Sequence, residues 1–439
     1  MSNVGSIFTG NVGASGLNRS GNVGRAFFDA YTYSLLFNSL LTGFTEILTT
    51  LGATYTRAGT KHLRQGGVYV AYGANAFGTD LDPVDVEYGY YPETAATNIW
   101  TYSTDFTNAV WTKGNATVAG NADSPLTGGG SYKLTPSVAS GTQVLRHSTL
   151  LASGVLSTVS YIVKAGGYKY VSIGPDGAAS GDNAVFNLET GTIVQNGGVY
   201  NSNPKIVLIG NGWYRISVNI NSSTAALRQP RFWVLSNATT FPSNNNNSAF
   251  GGDGTSGVLV WNNQAETGGR ASSPIITVAS TVTRAADVLS LPRSSLTQLL
   301  DSQYALIADY RTDIAPTTEQ ALVRLTNTTT YGEFAELKRT ATLAESKVNS
   351  STFVQADITV ANTSFTRSKL GLSAQLNNFS AAQDGVVIGT DVSGIMPILP
   401  TVLEIGAFQN VSQLNGHIYN LSIKNRALTQ DQMVTETTL

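Results

Sequence analysis

Residues 256–291 read SGVLVWNNQAETGGRASSPIITVASTVTRAADVLSL. Two short apolar runs, 258–261 and 275–278, flank a polar loop rich in Gly and Ser. Runs of this length, enriched in β-branched and aromatic residues and bounded by turn formers, predict strands. After them, Thr283-Arg284-Ala285-Ala286-Asp287 leads into a new set of apolar alternations. The stretch therefore predicts the closing strands of one β-sandwich and the seam to the next.

The rest of the chain agrees with that texture. Its 439 residues exceed one ordinary sandwich, so two or three domains are expected. Charged residues make up only 12%, and 44 Gly with abundant Ser, Thr and Asn fill the space. Thr and aromatic residues suit pleated surfaces, while Asn and Gly supply turn geometry, so the composition predicts an all-β protein. The 26 basic and 28 acidic residues are scattered and build no basic stripe, which argues against nucleic acid as a partner. There is no cysteine, which removes disulfides, thiolate metal sites and thiol nucleophiles. The first residues, MSNVGSIFTGNVGASG, lack the basic start and apolar core of a secretory signal.

In order, residues 1–25 predict an extended arm that orders only against a partner. From Leu36, apolar residues Phe37, Leu40, Leu41, Phe44, Ile47, Leu48 and Leu51 recur at helical spacing. The run is too polar for a membrane span, and reads either as a helix packed on the next domain or as an anchoring or trimerising helix. Residues 52–97 predict an irregular β lead-in with a turn at Asp80-Leu81-Asp82-Pro83. Residues 98–285 alternate regularly: Val159, Tyr161 and Val163; Tyr214, Ile216, Val218 and Ile220; Phe232 and Val234. Residues 286–439 predict a second, smaller sandwich, in which Thr429 caps a short helical turn. The expected fold is two antiparallel sandwiches (jelly rolls) in tandem, preceded by the arm and one short helix (residues 1–51).

Three pieces coincide in the first sandwich: NIWTYSTDFTNAVW (98–111), GNGWYRIS (210–217) and the run 257–287. Together with ATYTRAGTKHL (53–63) they resemble the carbohydrate-binding-module-like jelly roll of many tailed-bacteriophage structural proteins. The C-terminal LNGHIYNLSIKNRALTQDQM (414–433) is similar to the final strand and turn of concanavalin A-like or laminin-G-like sandwiches. The resemblance covers 53–290 well and 291–435 more loosely. It implies a virion protein assembled in the bacterial cytoplasm, a homotrimer, and contact with host-surface glycan. The first 50 residues match no family and suit docking onto other virion proteins.

Catalysis finds little support. Glycoside hydrolysis needs two carboxylates aimed at one bond, and no Glu-x-Asp-x-x-Glu occurs. Asp82, Asp85, Glu87 and Glu93 lie in the lead-in, Asp357 and Glu404 are solitary on their strands, and His62, His147 and His417 are isolated. No catalytic or metal residue is therefore assigned, and no cofactor. For sugar binding, Trp233 shares a strand face with Arg231, opposite Phe232 and Val234, and is expected to be exposed. Trp213 and Trp261 read as sandwich structure, and Trp100 and Trp111 as caps of a sandwich end. Asn245 and Asp253, in or beside the Asn-rich loop 243–253, complete the candidate carbohydrate site. Arg284 is expected to bridge the two domains. The jelly-roll resemblance also implies a structural Ca²⁺, for which Asp105, Asp253 and Glu266 are candidate donors. Three functions remain: a virion fibre or appendage contacting host glycan, a decoration, collar or minor tail protein without receptor, and, least supported, a glycan-degrading enzyme.

Overall fold

A computed structural model describes residues 26–29, 32–37, 51–175, 183–223, 228–237, 249–313, 319–330, 332–362, 365–409 and 411–439. The described chain is nearly all β, with multiple antiparallel sheets and one α-helix, Gln430–Thr437. It divides into two compact units, and each is assembled from separated segments. Unit 1 takes Met1–Ala58, Asn75–Thr94 and Ala286–Leu439, while unit 2 takes Gly59–Ala74 and Ala95–Ala285.

Unit 2 contains two six-stranded sheets. One runs in the order Ala116–Asn121, Ser131–Pro136, Gly257–Thr267, Ser157–Gly166, Trp213–Ile220, Asn201–Gly210. The other runs Thr192–Asn196, Ala184–Asn187, Tyr170–Pro175, Pro230–Leu235, Val144–His147, Trp111–Gly114. The period-two alternation places Val159, Tyr161, Val163, Ile216, Val218, Phe232 and Val234 in one core with Trp100 and Trp111. Each such large apolar side chain contributes about 1.5–3 kcal/mol by leaving water. Opposite faces are also covered. The hairpin Lys61–Gln65/Val68–Tyr72 brings Tyr69 against Trp213, Trp261, Ile162 and Leu259. Tyr69 stacks on Trp261 at 5.9 Å, so Trp261 is structural.

Gly257–Thr267 is an 11-residue strand at the centre of its sheet, whereas residues 275–278 join no ladder. Their backbone is held by side chains and by one crossing segment. Ile275 N donates to Gln264 Oε1 at 2.7 Å, its carbonyl accepts from Asn98 Nδ2 at 3.0 Å, and Tyr102 N donates to the Val278 carbonyl at 2.6 Å. The closing strand is instead Val282–Arg284, paired with Ala96–Asn98. Arg284 is fully buried, and its Nη1 donates to the Ala285 carbonyl.

Unit 1 contains two seven-stranded sheets, so it is not the smaller sandwich. Its core gathers Tyr304, Leu306, Ala308, Tyr310, Leu403, Ile405, Ile418, Leu421 and Ile423. Just ahead of the expected helix, Thr32–Leu36 is a strand that pairs with Gly416–Lys424. Tyr33, Leu35 and Phe37 enter the core, alternating with the half-buried Thr32, Ser34 and Leu36. Residues 1–25 and 38–50, which carry the arm and most of the expected helix, lie outside the described residues. The 52–97 lead-in is divided between the units rather than forming one segment. At the far end, Thr429 caps the helix in a capping box with Gln432. Among the described residues no helix is long and apolar enough to cross a membrane.

Candidate functional site

Pro230–Leu235 pairs with Val144–His147 on one side and Tyr170–Pro175 on the other. The register sets Arg231 beside Arg146 and Gly174, and Trp233 beside Val144 and Ser172. These residues occupy the sheet face opposite the core side chains Leu145, Phe232 and Ile173. Trp233 is not exposed as the sequence suggested: it is 1% accessible and packs with Val185 and Leu235. Alternation set its face correctly but says nothing of what covers that face, and its ring is closed to sugar stacking. The indole N–H of Trp233 and the neighbouring Ser172 hydroxyl are buried and have no hydrogen-bond partner. Arg231 is half-buried, and Arg146 Nη1 donates to Gln229 Oε1 at 3.1 Å. Next to Arg231, Gly174 leaves room for the Asn183 amide, whose Oδ1 lies 1.7 Å from where a Cβ would stand.

Asn245 lies outside the described residues. Asp253 is exposed and closes its own turn, accepting from Thr255 N at 2.8 Å and Ser256 N at 2.6 Å. Hydrogen bonds from Ser256 and Thr255 hold its carboxyl below the usual range. The other donors considered for Ca²⁺ are likewise engaged locally. Asp105 accepts from Thr107, and buried Glu266 accepts from the Ser272 backbone at 3.0 Å and from its hydroxyl.

The three histidines have defined settings. His62 Nδ1 lies 2.8 Å from the Pro274 carbonyl, beside Trp261. His147 is enclosed by Trp100 and Trp111. His417 is not isolated: it lies between Asp80 and Asp82, and the ligand atoms of Asp82, Asp313 and His417 fall within 4.8 Å of one another.

Unit 1 also corrects the view of Glu404 and Asp357 as solitary. Cross-strand register aligns Glu404, Arg324, Glu336, Lys347 and Asp357 across neighbouring strands of one sheet. Arg324 sits between the rings of Phe334 and Phe408, 4.7 and 4.1 Å from their centroids. Its Nε donates to Glu336 at 2.6 Å, and Lys338 Nζ lies 2.9 Å from the same carboxylate. Burial raises the pKa of Glu336, opposed by the charges of Arg324 and Lys338; burial also raises that of Glu404. Two glutamates on one face invite a hydrolytic reading, but a guanidinium occupies the position between them where a glycosidic oxygen would have to sit. The row is an ion-pair ladder.

No family model and no curated protein matches the chain. Among solved structures it is similar to the CBM40 of the Ruminococcus gnavus IT-sialidase bound to alpha2,3 sialyllactose, at 16% identity and a TM-score of 0.29. That match covers 33% of this chain and 87% of the other. Domain 4 of AbnA, a GH43 extracellular arabinanase from Geobacillus stearothermophilus in complex with arabinotriose, gives 13% identity and a TM-score of 0.27, covering 34% and 72%. For the NanB sialidase of Streptococcus pneumoniae the identity is 14% and the TM-score 0.29, over 33% of this chain and 26% of the sialidase.

Proposed function

We propose that the protein is a non-catalytic, glycan-binding component of a bacteriophage particle, a fibre or appendage that contacts the host surface through unit 2. The observation that carries the reading is the Arg146–Arg231 and Trp233–Ser172 row. Of that row the accessible part is the pair of half-buried guanidiniums, Arg146 and Arg231, set side by side on neighbouring strands. With Trp233 closed to stacking, recognition rests on hydrogen bonds, in which arginine forks grip paired sugar oxygens. The phage assignment and a trimeric state are supported by the motif resemblance at 98–111, 210–217 and 257–287. Attachment to other virion proteins belongs to residues 1–25 rather than 1–51, since Tyr33, Leu35 and Phe37 are needed in the core of unit 1.

The test is binding of the purified chain to host cells and to host polysaccharide. Arg231→Ala is expected to weaken binding at least about tenfold, roughly one charge-assisted hydrogen bond, while tryptophan fluorescence unfolding stays unchanged. No binding by the wild type, or equal binding by the variant, overturns the proposal.

A second reading, a decoration or minor tail protein without receptor, is favoured by one end of unit 1. Phe353, Val354, Ile395, Ile398 and Leu399 are exposed there. Glu333 and Gln355 tie the segments that carry them together through Ser351, Ile395 and Ile398. Contiguous exposed apolar side chains mark a protein-contact surface. Co-purification at fixed stoichiometry with a capsid or tail protein, without glycan binding, would establish it.

A further inference from the structure

We propose that Asp82, Asp313 and His417 of unit 1 hold a first-row divalent cation, zinc or manganese. The site is assembled from three distant parts of the sequence. Asp80–Leu81 pairs with Tyr88–Gly89, and the tight turn between them is closed by Val84 N donating to Asp82 Oδ1 at 2.7 Å. This hairpin is stapled to Gly416–Lys424 by reciprocal backbone bonds between Tyr90 and Ile418, 2.8 and 2.9 Å. Gly89 permits the approach, since a Cβ there would stand 3.0 Å from that of His417. Asp313 follows the strand Gln303–Thr312, in which Arg311 is paired with His417.

The His417 ring is fully buried and stacks on Tyr91 at 4.5 Å. Its Nε2 lies 3.1 Å from Asp80 Oδ2. Its Nδ1 lies 3.3 Å from Asp82 Oδ2, outside hydrogen-bond geometry, and has no hydrogen-bond partner. If Nε2–H donates to Asp80, Nδ1 presents a bare lone pair to a carboxylate oxygen. Such a contact is repulsive unless a positive charge sits between the two atoms. The spacing suits an ion: two ligands on one metal at about 2.0–2.1 Å in tetrahedral geometry are roughly 3.3 Å apart. Asp80 then plays the part of the carboxylate that orients a metal-bound imidazole.

Charge points the same way. Asp80, Asp82, Asp85 and Asp313 converge here, and Arg311 is the guanidinium that meets Asp82, at 2.9 Å on Oδ1. That bond leaves Asp82 Oδ2 for the ion. The Tyr419 hydroxyl lies 2.7 Å from Asp82 Oδ2 and 2.6 Å from Asp85 Oδ2, so its single proton braces the ligand carboxylate from outside. One imidazole with two carboxylates favours zinc or manganese over calcium, which takes oxygen ligands. The ion would lock the 80–89 hairpin onto Gly416–Lys424, an interior strand of its sheet.

The experiment uses the untagged full chain, stripped with chelator and dialysed against micromolar zinc, then separately manganese. The wild type is expected to retain about one equivalent of one of these metals, and its thermal midpoint to rise with metal concentration. Asp313 is only half-buried, so Asp313→Asn keeps the fold, retains less than about 0.2 equivalent, and loses the midpoint shift. Wild-type protein that retains neither metal overturns the proposal. A full equivalent retained by Asp313→Asn overturns it equally.

Discussion

His147 makes the stability of unit 2 depend on pH in a way that can be worked out from its surroundings. The ring stacks on Trp100 at 5.4 Å and meets Trp111 edge-on at 4.7 Å. Thr149 N donates to Nδ1 at 3.0 Å, so Nδ1 is the acceptor and Nε2 carries the proton, 3.3 Å from the Thr101 carbonyl. Protonating Nδ1 would break the Thr149 bond and place a cation among indoles. Burial accordingly lowers the pKa from 6.5 to about 4. A base whose folded pKa is depressed binds fewer protons folded than unfolded, so stability is full above 6.5 and falls as pH drops toward 4. The whole effect is about 3 kcal/mol, of which roughly 2.5 kcal/mol is gone at pH 4.5. All five tryptophans lie in unit 2, so their fluorescence reports its unfolding directly. With a urea slope of about 2–3 kcal/mol per molar, His147 alone should lower the midpoint by roughly 1 M between pH 7 and 4.5. Carboxylates such as Asp105 and Asp123, whose pKa values are lowered in the fold, add their own acid sensitivity. A His147→Gln comparison removes that common part. The variant should lose about 2.5 kcal/mol less than the wild type over the same pH range. Equal losses in the two proteins would refute the reasoning.

Two further substitutions test unit 1, followed by calorimetry because it lacks tryptophan. Arg324→Met leaves Glu336 buried beside Lys338 and removes the cation from between Phe334 and Phe408; a loss of about 3–5 kcal/mol is expected, and a loss below about 1 kcal/mol would show the ladder to be dispensable. Gly416→Ala places a methyl 2.1 Å from the Arg311 carbonyl, on backbone that cannot yield, and should cost about 3 kcal/mol; a neutral result would mean the strand pair can separate there.

Much of the architecture was legible because strand periodicity is local. Val159, Tyr161 and Val163, or Tyr304, Leu306 and Ala308, alternate in the sequence and enter cores in the structure. Thr429 announced its capping box for the same reason. Burial of the opposite face was not legible. Ile162 and Trp261 are covered by a hairpin nearly a hundred residues or more upstream, and Trp233 by packing that alternation cannot encode. The candidate sites show the same limit. His417, Asp82 and Glu404 are unremarkable among their sequence neighbours, and become chemically interesting only through partners on other strands.

What the sequence determined by itself, then, is an all-β chain whose 256–291 stretch closes one sandwich and begins the next; the division between the units falls at Ala285 and Ala286. Composition and period two suffice for that, since each strand carries its own pattern of inward residues. Only the tertiary structure decided that residues 32–36 and 75–94 belong with the C-terminal unit and residues 59–74 with the other. It alone decided that Trp233 is closed to sugar stacking and that a histidine lies between two aspartates more than three hundred residues away. Cross-strand register and the burial of second faces are non-local quantities, set by which strands meet, and no single segment carries them.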